Sequence, residues 1–297
     1  LRDLSSEEIF FLLNKTREVK AAFRQGKLDF KLAGRAIALI FEKPSTRTRV
    51  SFGSALVQLG ATPLFLSQSE MQVSRGETLE DTARILSSYV SAIVMRTFEQ
   101  ARLVKLAQAA SVPVVNALTD EFHPCQILAD LFTIYEHFDL LAGLKLAYVG
   151  DGNNVANSLL LGCAKVGINI SVATPRGFEP SQEVFSEAKS LAKGRSLVEI
   201  THQAEKAVEG ADIVYTDVWF SMGQAVDAVK VKKFKKFQVN ERLLSKAKTS
   251  AIFMHCLPAH RGEEVTDGVI DGVQSKVWVQ AENRLHLQKA LLVSIVR

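Results

Sequence analysis

Residues 36–59 read AIALIFEKPSTRTRVSFGSALVQL. The run from Ala36 to Phe41 is wholly apolar and of strand length, the pattern of a strand buried on both faces of a parallel sheet. Over 50–59 the apolar positions recur at helical spacing and stop at Gly60. Between them lies the polar turn Glu42-Lys43-Pro44-Ser45-Thr46-Arg47-Thr48-Arg49. Strand, polar turn and helix form a βα unit, the element from which α/β sheets build ligand sites.

The alternation continues in both directions. Upstream, Ile9, Leu12, Leu13, Val19 and Phe23 give 4–25 a helical period, opened by Ser5-Ser6-Glu7-Glu8 as a capping signature. Downstream, strands are expected at 62–66, 92–95 and 114–116, separated by helices over 78–89 and 99–109. A helix over 125–137 is followed by a fresh strand at 145–150, so a boundary falls near 136–144. Strands over 170–173, 197–200, 213–216, 251–254 and 277–280 and an amphipathic helix over 285–295 complete the second set. The fold class is α/β, two doubly wound parallel-sheet domains, with the C-terminal helix packing back on the N-terminal domain. The first domain is expected over 1–138 plus 285–297, the second over 139–284.

Composition sets the outer limits. A chain of 297 residues with 47% hydrophobic content builds sizeable cores and, at roughly 100–200 residues per domain, favours two of them. No run approaches the roughly 18 uninterrupted apolar residues of a membrane span, so no membrane association is expected. Cys125, Cys163 and Cys256 lie far apart with no CxxC pair, which suggests neither a disulfide framework nor a thiolate metal site and fits a reducing compartment. The first residues show no basic-then-apolar targeting pattern, so the expected location is the cytoplasm, or an organellar matrix if a leader has been removed ahead of Leu1. The formal charge is only +4, and the excess is mostly local, in Lys230, Lys232, Lys233, Lys235 and Lys236. That run, interleaved with Val and Phe, is expected to be a solvated loop or edge, and without a stacking platform it argues against a nucleic-acid partner.

Ser45-Thr46-Arg47-Thr48 puts three hydroxyls and a guanidinium at a helix N-terminus, where backbone N–H groups and the macrodipole already favour an anion such as phosphate. Arg49 adds a second cation. No GxxxxGK[ST] loop accompanies it, which argues against a nucleoside triphosphate. His123-Pro124-Cys125-Gln126 lies where a loop gives way to a helix, with Pro124 expected to aim His123 outward, and Arg96 stands at another strand end. Cys125 beside His123 imitates a nucleophile and base, but adjacent positions do not face each other productively. Gly150-Asp-Gly152-Asn-Asn154 imitates a dinucleotide fingerprint, making a nicotinamide-dependent enzyme a rival reading. The match fails at Val155, where the third glycine belongs, and at Thr174-Pro175-Arg176, where no acid follows the next strand.

FEKPSTRTR, MRT, HPCQ and HCLP, in this order and spacing over essentially the whole chain, resemble the aspartate/ornithine carbamoyltransferase family. Asp217-Val-Trp-Phe-Ser221-Met222-Gly223 resembles the second-substrate loop of the ornithine branch. The resemblance implies transfer of a carbamoyl group from carbamoyl phosphate to the δ-amine of ornithine, with no cofactor and no metal. It assigns Ser45, Thr46, Arg47 and Thr48 to the phosphate, Thr48, Arg96 and His123 to the carbonyl oxygen, and Gln126 to the carbamoyl NH₂. Gln72 matches a residue that reaches a neighbouring subunit's site in this family, which implies a homotrimer or a multiple of trimers. Asn154, Asp217, Ser221 and Met222 match the ornithine-binding set, while Cys256, Leu257 and Arg284 complete the junction between substrates. Another amine, putrescine or acetylornithine, is the nearer rival, and Asp217 argues against it because free ornithine carries an α-ammonium that needs an anion. Arg96, His123 and Cys256 are the candidate catalytic groups, Cys256 either positioning the amine or helping to deprotonate it, and 221–237 is expected to act as a lid.

Overall fold

The computed structural model describes every residue except Asp29, Gln68, 221–226 and Arg297, together with all but the side chain of Ser74. The chain divides into two compact units, Phe10–Leu128 with Arg284–Arg297, and Leu1–Ile9 with Ala129–Asn283. The division falls inside α1 (Ser6–Arg24), α5 (Pro124–Phe138) and α12 (Val277–Ile295).

In the first of these units, β1 (Ala36–Phe41), α2 (Thr46–Gln58), β2 (Thr62–Ser67), α3 (Leu79–Tyr89), β3 (Ala92–Arg96), α4 (Gln100–Ala109) and β4 (Val114–Leu118) alternate. The strands form one sheet in the order β2-β1-β3-β4, parallel throughout. Every residue of β3 is buried, and in β1 only the two end residues are not, so both strands are covered on both faces. Alternate residues serve opposite faces: Ala38, Ile40, Ile93 and Met95 share a core with Ala83, Leu103 and Leu106 from α3 and α4. Each fully buried large side chain there contributes about 1.5–3 kcal/mol. Within this unit the end of α12 packs back on the earlier helices, Lys289 donating to Gln58 at 3.1 Å and His286 meeting the ring of Phe23 at 5.3 Å.

The second unit contains β5 (Lys145–Val149), α6 (Asn154–Val166), β6 (Asn169–Ala173), α7 (Gln182–Ala192), β7 (Val198–Thr201), α8 (Ala204–Val208) and β8 (Ile213–Thr216). These are followed by α9 (Ala228–Phe234), α10 (Glu241–Leu244), β9 (Ile252–His255) and α11 (Asp267–Ile270). Its sheet is parallel, in the order β7-β6-β5-β8-β9. Ala147, Val149, Val214 and Phe253 line one face against Ala207, Val208 and Leu243, while Tyr148 and Tyr215 stack on the other at 6.0 Å.

Two local expectations are corrected. The segment 277–280 is not a strand but the first turn of α12; its buried residues, Val277, Gln280, Asn283, Arg284 and Leu287, follow a helical period, and pairing with β9 is limited to a single bridge between Phe253 and Ser275. β-branched Val277 and Val279 around Trp278 imitate a strand. The lysine run is solvated as expected at Lys232, Lys233, Lys235 and Lys236, but it is not a loop: it forms α9 and a 3-10 turn, Lys235–Phe237, with Phe234 and Phe237 buried and Lys230 half-buried. The helix whose period runs over 50–59 begins at Thr46, so Ser45-Thr46-Arg47-Thr48 stands at its N-terminus as expected. Of the lid expected over 221–237, residues 221–226, including Ser221, Met222 and Gly223, lie outside the described residues.

Candidate active site

In the sheet β2-β1-β3-β4 the chain reverses its direction of travel between β1 and β3, and parallel sheets leave a ligand crevice beyond the strand ends at such a switch point. Phe41 is in register with Arg96, so the loop after β1 starts beside the guanidinium that ends β3. Ser45 caps α2, its hydroxyl accepting from the Thr48 amide at 3.2 Å. The amides of Thr46 and Arg47 have no protein acceptor among the described residues, which leaves them for an anion. A cavity of about 810 Å³ opens here, lined by Glu42, Lys43, Ser45, Thr46 and Arg49 among others. Arg49 lies over the Phe65 ring at 4.7 Å, so its guanidinium is held by the ring face.

Deeper in the same unit, Arg96, Thr48, His123, Gln126 and Arg284 are all buried. Thr48 Oγ1 accepts from Arg284 Nη2 at 2.6 Å and, more weakly, from Arg96 Nη1 at 3.4 Å; Arg284 Nη1 donates to Gln126 Oε1 at 3.0 Å. Pro124 opens α5 at the position where its missing N–H costs nothing. His123, just ahead of it, is buried instead of being aimed outward. Burial first, and then the charges of Arg284 and Arg96, hold its pKa well below the usual histidine range. At neutral pH it is a neutral imidazole with one N–H to donate. Cys125 is no nucleophile: its thiol donates to the Asn116 carbonyl at 3.3 Å, and burial pushes its pKa up to about 11.

The other unit repeats the arrangement, with its switch point between β5 and β8. The turn after β5 needs its glycines: Gly150 has φ 152°, and a Cβ on Gly152 would stand 2.2 Å from the Pro180 nitrogen. Asn153 caps α6, its Oδ1 accepting from the amides of Val155 and Ala156 at 2.9 and 3.2 Å. Its Nδ2 donates to Asp217 Oδ2 at 2.7 Å, just past β8. Cys256, just past β9, donates its S–H to Asp217 Oδ1 at 3.1 Å. A carboxylate has about four lone-pair sites, so Asp217 can still accept from an ammonium.

His255 is fully buried. Its Nδ1 accepts from the Leu257 amide at 2.9 Å, so the ring proton sits on Nε2 and is donated to Glu264 at 3.1 Å. Leu257 has φ 58°, a conformation rare for a branched residue, and that backbone turn brings its amide to the ring. Asp217, His255 and Cys256 offer donor atoms within 4.8 Å of one another, but both ring nitrogens of His255 are engaged, so the trio as arranged does not fit a metal.

Two family models match the chain: aspartate/ornithine carbamoyltransferase, carbamoyl-P binding domain, over residues 1–136, and aspartate/ornithine carbamoyltransferase, Asp/Orn binding domain, over residues 142–295. The chain belongs to the aspartate/ornithine carbamoyltransferase family. Among its relatives, the ornithine carbamoyltransferase of Anoxybacillus flavithermus is 54% identical, the match covering 100% of this chain and 95% of that protein. That of Nostoc punctiforme is 52% identical with the same coverage of each. The solved ornithine carbamoyltransferase of Pyrococcus furiosus superposes with a TM-score of 0.97 at 49% identity, covering 100% of this chain and 95% of that one.

Seen as members of this family, the residues singled out in the sequence fall into two groups. Thr48, Arg96, His123, Gln126 and Arg284 come together in one unit, with Ser45, Thr46 and Arg47 at the head of the same α2. Asp217 and Cys256 meet in the other, with half-buried Asn154 opening α6 and half-buried Leu257 bonded to His255. Gln72 is exposed on a 3-10 turn, Gln72–Arg75, and none of these hydrogen bonds includes it. Sequence reasoning missed Asn153, which looked like part of a failed fingerprint, and Asp130. Fully buried Asp130 accepts from Tyr215 at 2.9 Å and from Gln280 at 2.7 Å, and Gln280 in turn accepts from the His255 amide at 2.9 Å. This network underpins the β9 end where Cys256 sits. Its only sequence signal is a carboxylate inside an apolar helical run.

Proposed function

We propose that this chain transfers the carbamoyl group of carbamoyl phosphate to the δ-amine of L-ornithine, releasing L-citrulline and phosphate, the step that serves arginine biosynthesis. The observation that carries the reading is the pair of buried guanidiniums, Arg96 and Arg284, converging on Thr48 beside a neutral His123. Carbamoyl phosphate is an anion with a carbonyl, and this cluster offers two fixed cations for the one and an N–H donor for the other.

In this reading residues 1–138 with 285–297, joined by Arg284, serve carbamoyl phosphate, and the rest of 139–284 serves ornithine. Ser45, Thr46, Arg47 and Thr48 with the α2 amides hold the phosphate, Gln126 takes the carbamoyl NH₂, and Arg96, His123 and Thr48 donate to the carbonyl oxygen as it gains charge. Loss of one such donor costs about 10²- to 10³-fold in rate. The neutral δ-amine forms the new C–N bond, the C–O bond to phosphate then breaks with its electron pair going to the phosphate oxygen, and the amine's proton passes to the departing phosphate. Asp217 receives the α-ammonium, with Asn154, Ser221 and Met222 completing the ornithine set. Cys256, Leu257 and Arg284 complete the substrate set; since the Cys256 hydrogen is given to Asp217, the sulfur lone pairs are what an incoming amine meets. The assembly is a homotrimer to which Gln72 contributes across subunits, and the exposed apolar side chains of Val50, Val57, Leu64 and Phe65 on α2 and β2 support such an interface. A cytoplasmic location fits a chain in which no described helix is long and apolar enough to cross a membrane.

The test is product formation from carbamoyl phosphate with ornithine, putrescine, acetylornithine and aspartate offered in parallel. Turnover with ornithine alone is expected. Turnover with another amine keeps the carbamoyl phosphate residues and overturns the assignment of Asp217; silence with all four overturns the activity.

A further inference from the structure

Lys230 is the one member of the basic run whose ammonium is tied to a carboxylate among the described residues. Its side chain is 11% accessible, and Nζ lies 2.9 Å from Asp151 Oδ2, itself 13% accessible. Three aromatic rings surround the ammonium, with centroids 5.2 Å (Phe178), 5.1 Å (Phe220) and 5.4 Å (Phe234) away. Phe234 is fully buried and packs edge-on against Phe178 at 5.0 Å, so this cage is built into a core and is not a chance surface contact. Withdrawing both ions from water is costly, so the pair is weak evidence of added stability, whereas removing one partner alone leaves an uncompensated buried charge.

Asp151 connects that cage to the carboxylate described above. Its backbone carbonyl accepts from the Tyr148 hydroxyl at 2.7 Å and from the Asn153 amide at 2.8 Å. Asn153 then holds Asp217 through its side chain at 2.7 Å. The carboxylate of Asp151 is thus pinned by Lys230 and its backbone by Tyr148, and the residue two places on carries the only side-chain amide that grips Asp217 among the described residues. Burial raises the Asp151 pKa and Lys230 opposes that rise, so the ion pair keeps the turn in its charged, anchored form.

We infer that Lys230 is a positioning residue for the amine substrate, acting through the Asp151 turn and Asn153 to aim the Asp217 carboxylate. The inference rests on the ornithine reading given above. Because the relay lies within one unit and ends on Asp217, its loss acts on the amine and spares the anion.

The experiment compares wild type, Lys230→Met and the double variant Lys230→Met/Asp151→Asn in steady-state citrulline formation, each at a temperature where circular dichroism shows the fold intact. Lys230→Met is expected to raise the ornithine KM about tenfold or more, with kcat and the carbamoyl phosphate KM within about twofold of wild type. The double variant, which also lacks the pin but leaves no orphaned buried carboxylate, is expected to keep the raised ornithine KM, which separates loss of the anchor from the effect of an unpaired charge. An unchanged ornithine KM in Lys230→Met overturns the inference, as does an equal rise in both KM values or a double variant that returns to the wild-type ornithine KM. Wild type inactive on ornithine overturns the functional reading itself, a result distinct from all of these.

Discussion

Replacing Asp217 with Asn removes one charge while leaving the shape of the group intact. The Asn oxygen can keep the bond from Asn153 Nδ2, now 2.7 Å, and its NH₂ can point at the Cys256 sulfur, now 3.1 Å from Oδ1. The local network survives, so the change isolates the charge. An ammonium about 4 Å from a carboxylate gains about 4 kcal/mol at an effective dielectric constant of about 20, and a hydrogen bond to a charged group nets about 1.5–3 kcal/mol once desolvation is counted. The second range governs, because Asp217 is already buried and the substrate ammonium must shed water to reach it. The Kd for ornithine is therefore expected to rise roughly 10- to 150-fold, read by calorimetry at saturating carbamoyl phosphate. Stability should move the other way or not at all. Among the described residues no cation pairs with Asp217, and its charge adds to the forces raising the Asp151 pKa, so neutralising it relieves repulsion. An unchanged ornithine affinity, or a melting temperature lowered by several degrees, would refute this reasoning.

Tyr215→Phe deletes a buried donor to Asp130 and should cost about 1.5–3 kcal/mol, seen as a shift in the denaturation midpoint at constant m-value. His123 binds its proton less readily in the folded chain than in the unfolded one, so the unfolded state takes up protons first as pH falls below about 6.5. Stability should fall with acid by at most about 1.4 kcal/mol per pH unit from this residue until the folded pKa is reached, and His123→Asn should flatten that limb in urea titrations. Half-buried Cys256 should alkylate before the buried thiols of Cys125 and Cys163, giving a single adduct by intact mass that is slowed when ornithine is bound.

Much of this was legible in sequence because parallel strands covered on both faces announce themselves as short unbroken apolar runs. Ala36–Phe41, Ala92–Arg96 and Lys145–Val149 could hardly be anything else, and the polar residues that follow their C-terminal ends are those that the fold gathers at its switch points. Thr48, Arg96 and His123 were legible for that reason. What stayed hidden depends on pairings between distant segments. Lys230 looked solvated because its local pattern is lysine alternating with Val and Phe; only the fold brings it to Asp151, 79 residues earlier. Asp130 and Gln280 are separated by 150 residues, and neither flanks a recognisable turn. Val277 misled because local β preference points one way while burial at helical spacing decides the other.

Arg284 stands apart in the order of synthesis. It meets Gln126 across 158 residues and Thr48 across 236, whereas the other members of that cluster lie between Thr48 and Gln126. A nascent chain emerging from a ribosome can complete the sheet of β1 to β4, its switch point and the α2 amides, yet still lack the second guanidinium. Two buried hydrogen bonds of α12 close the cluster, so its second guanidinium arrives only after residue 284 has emerged, long after the sheet that it joins.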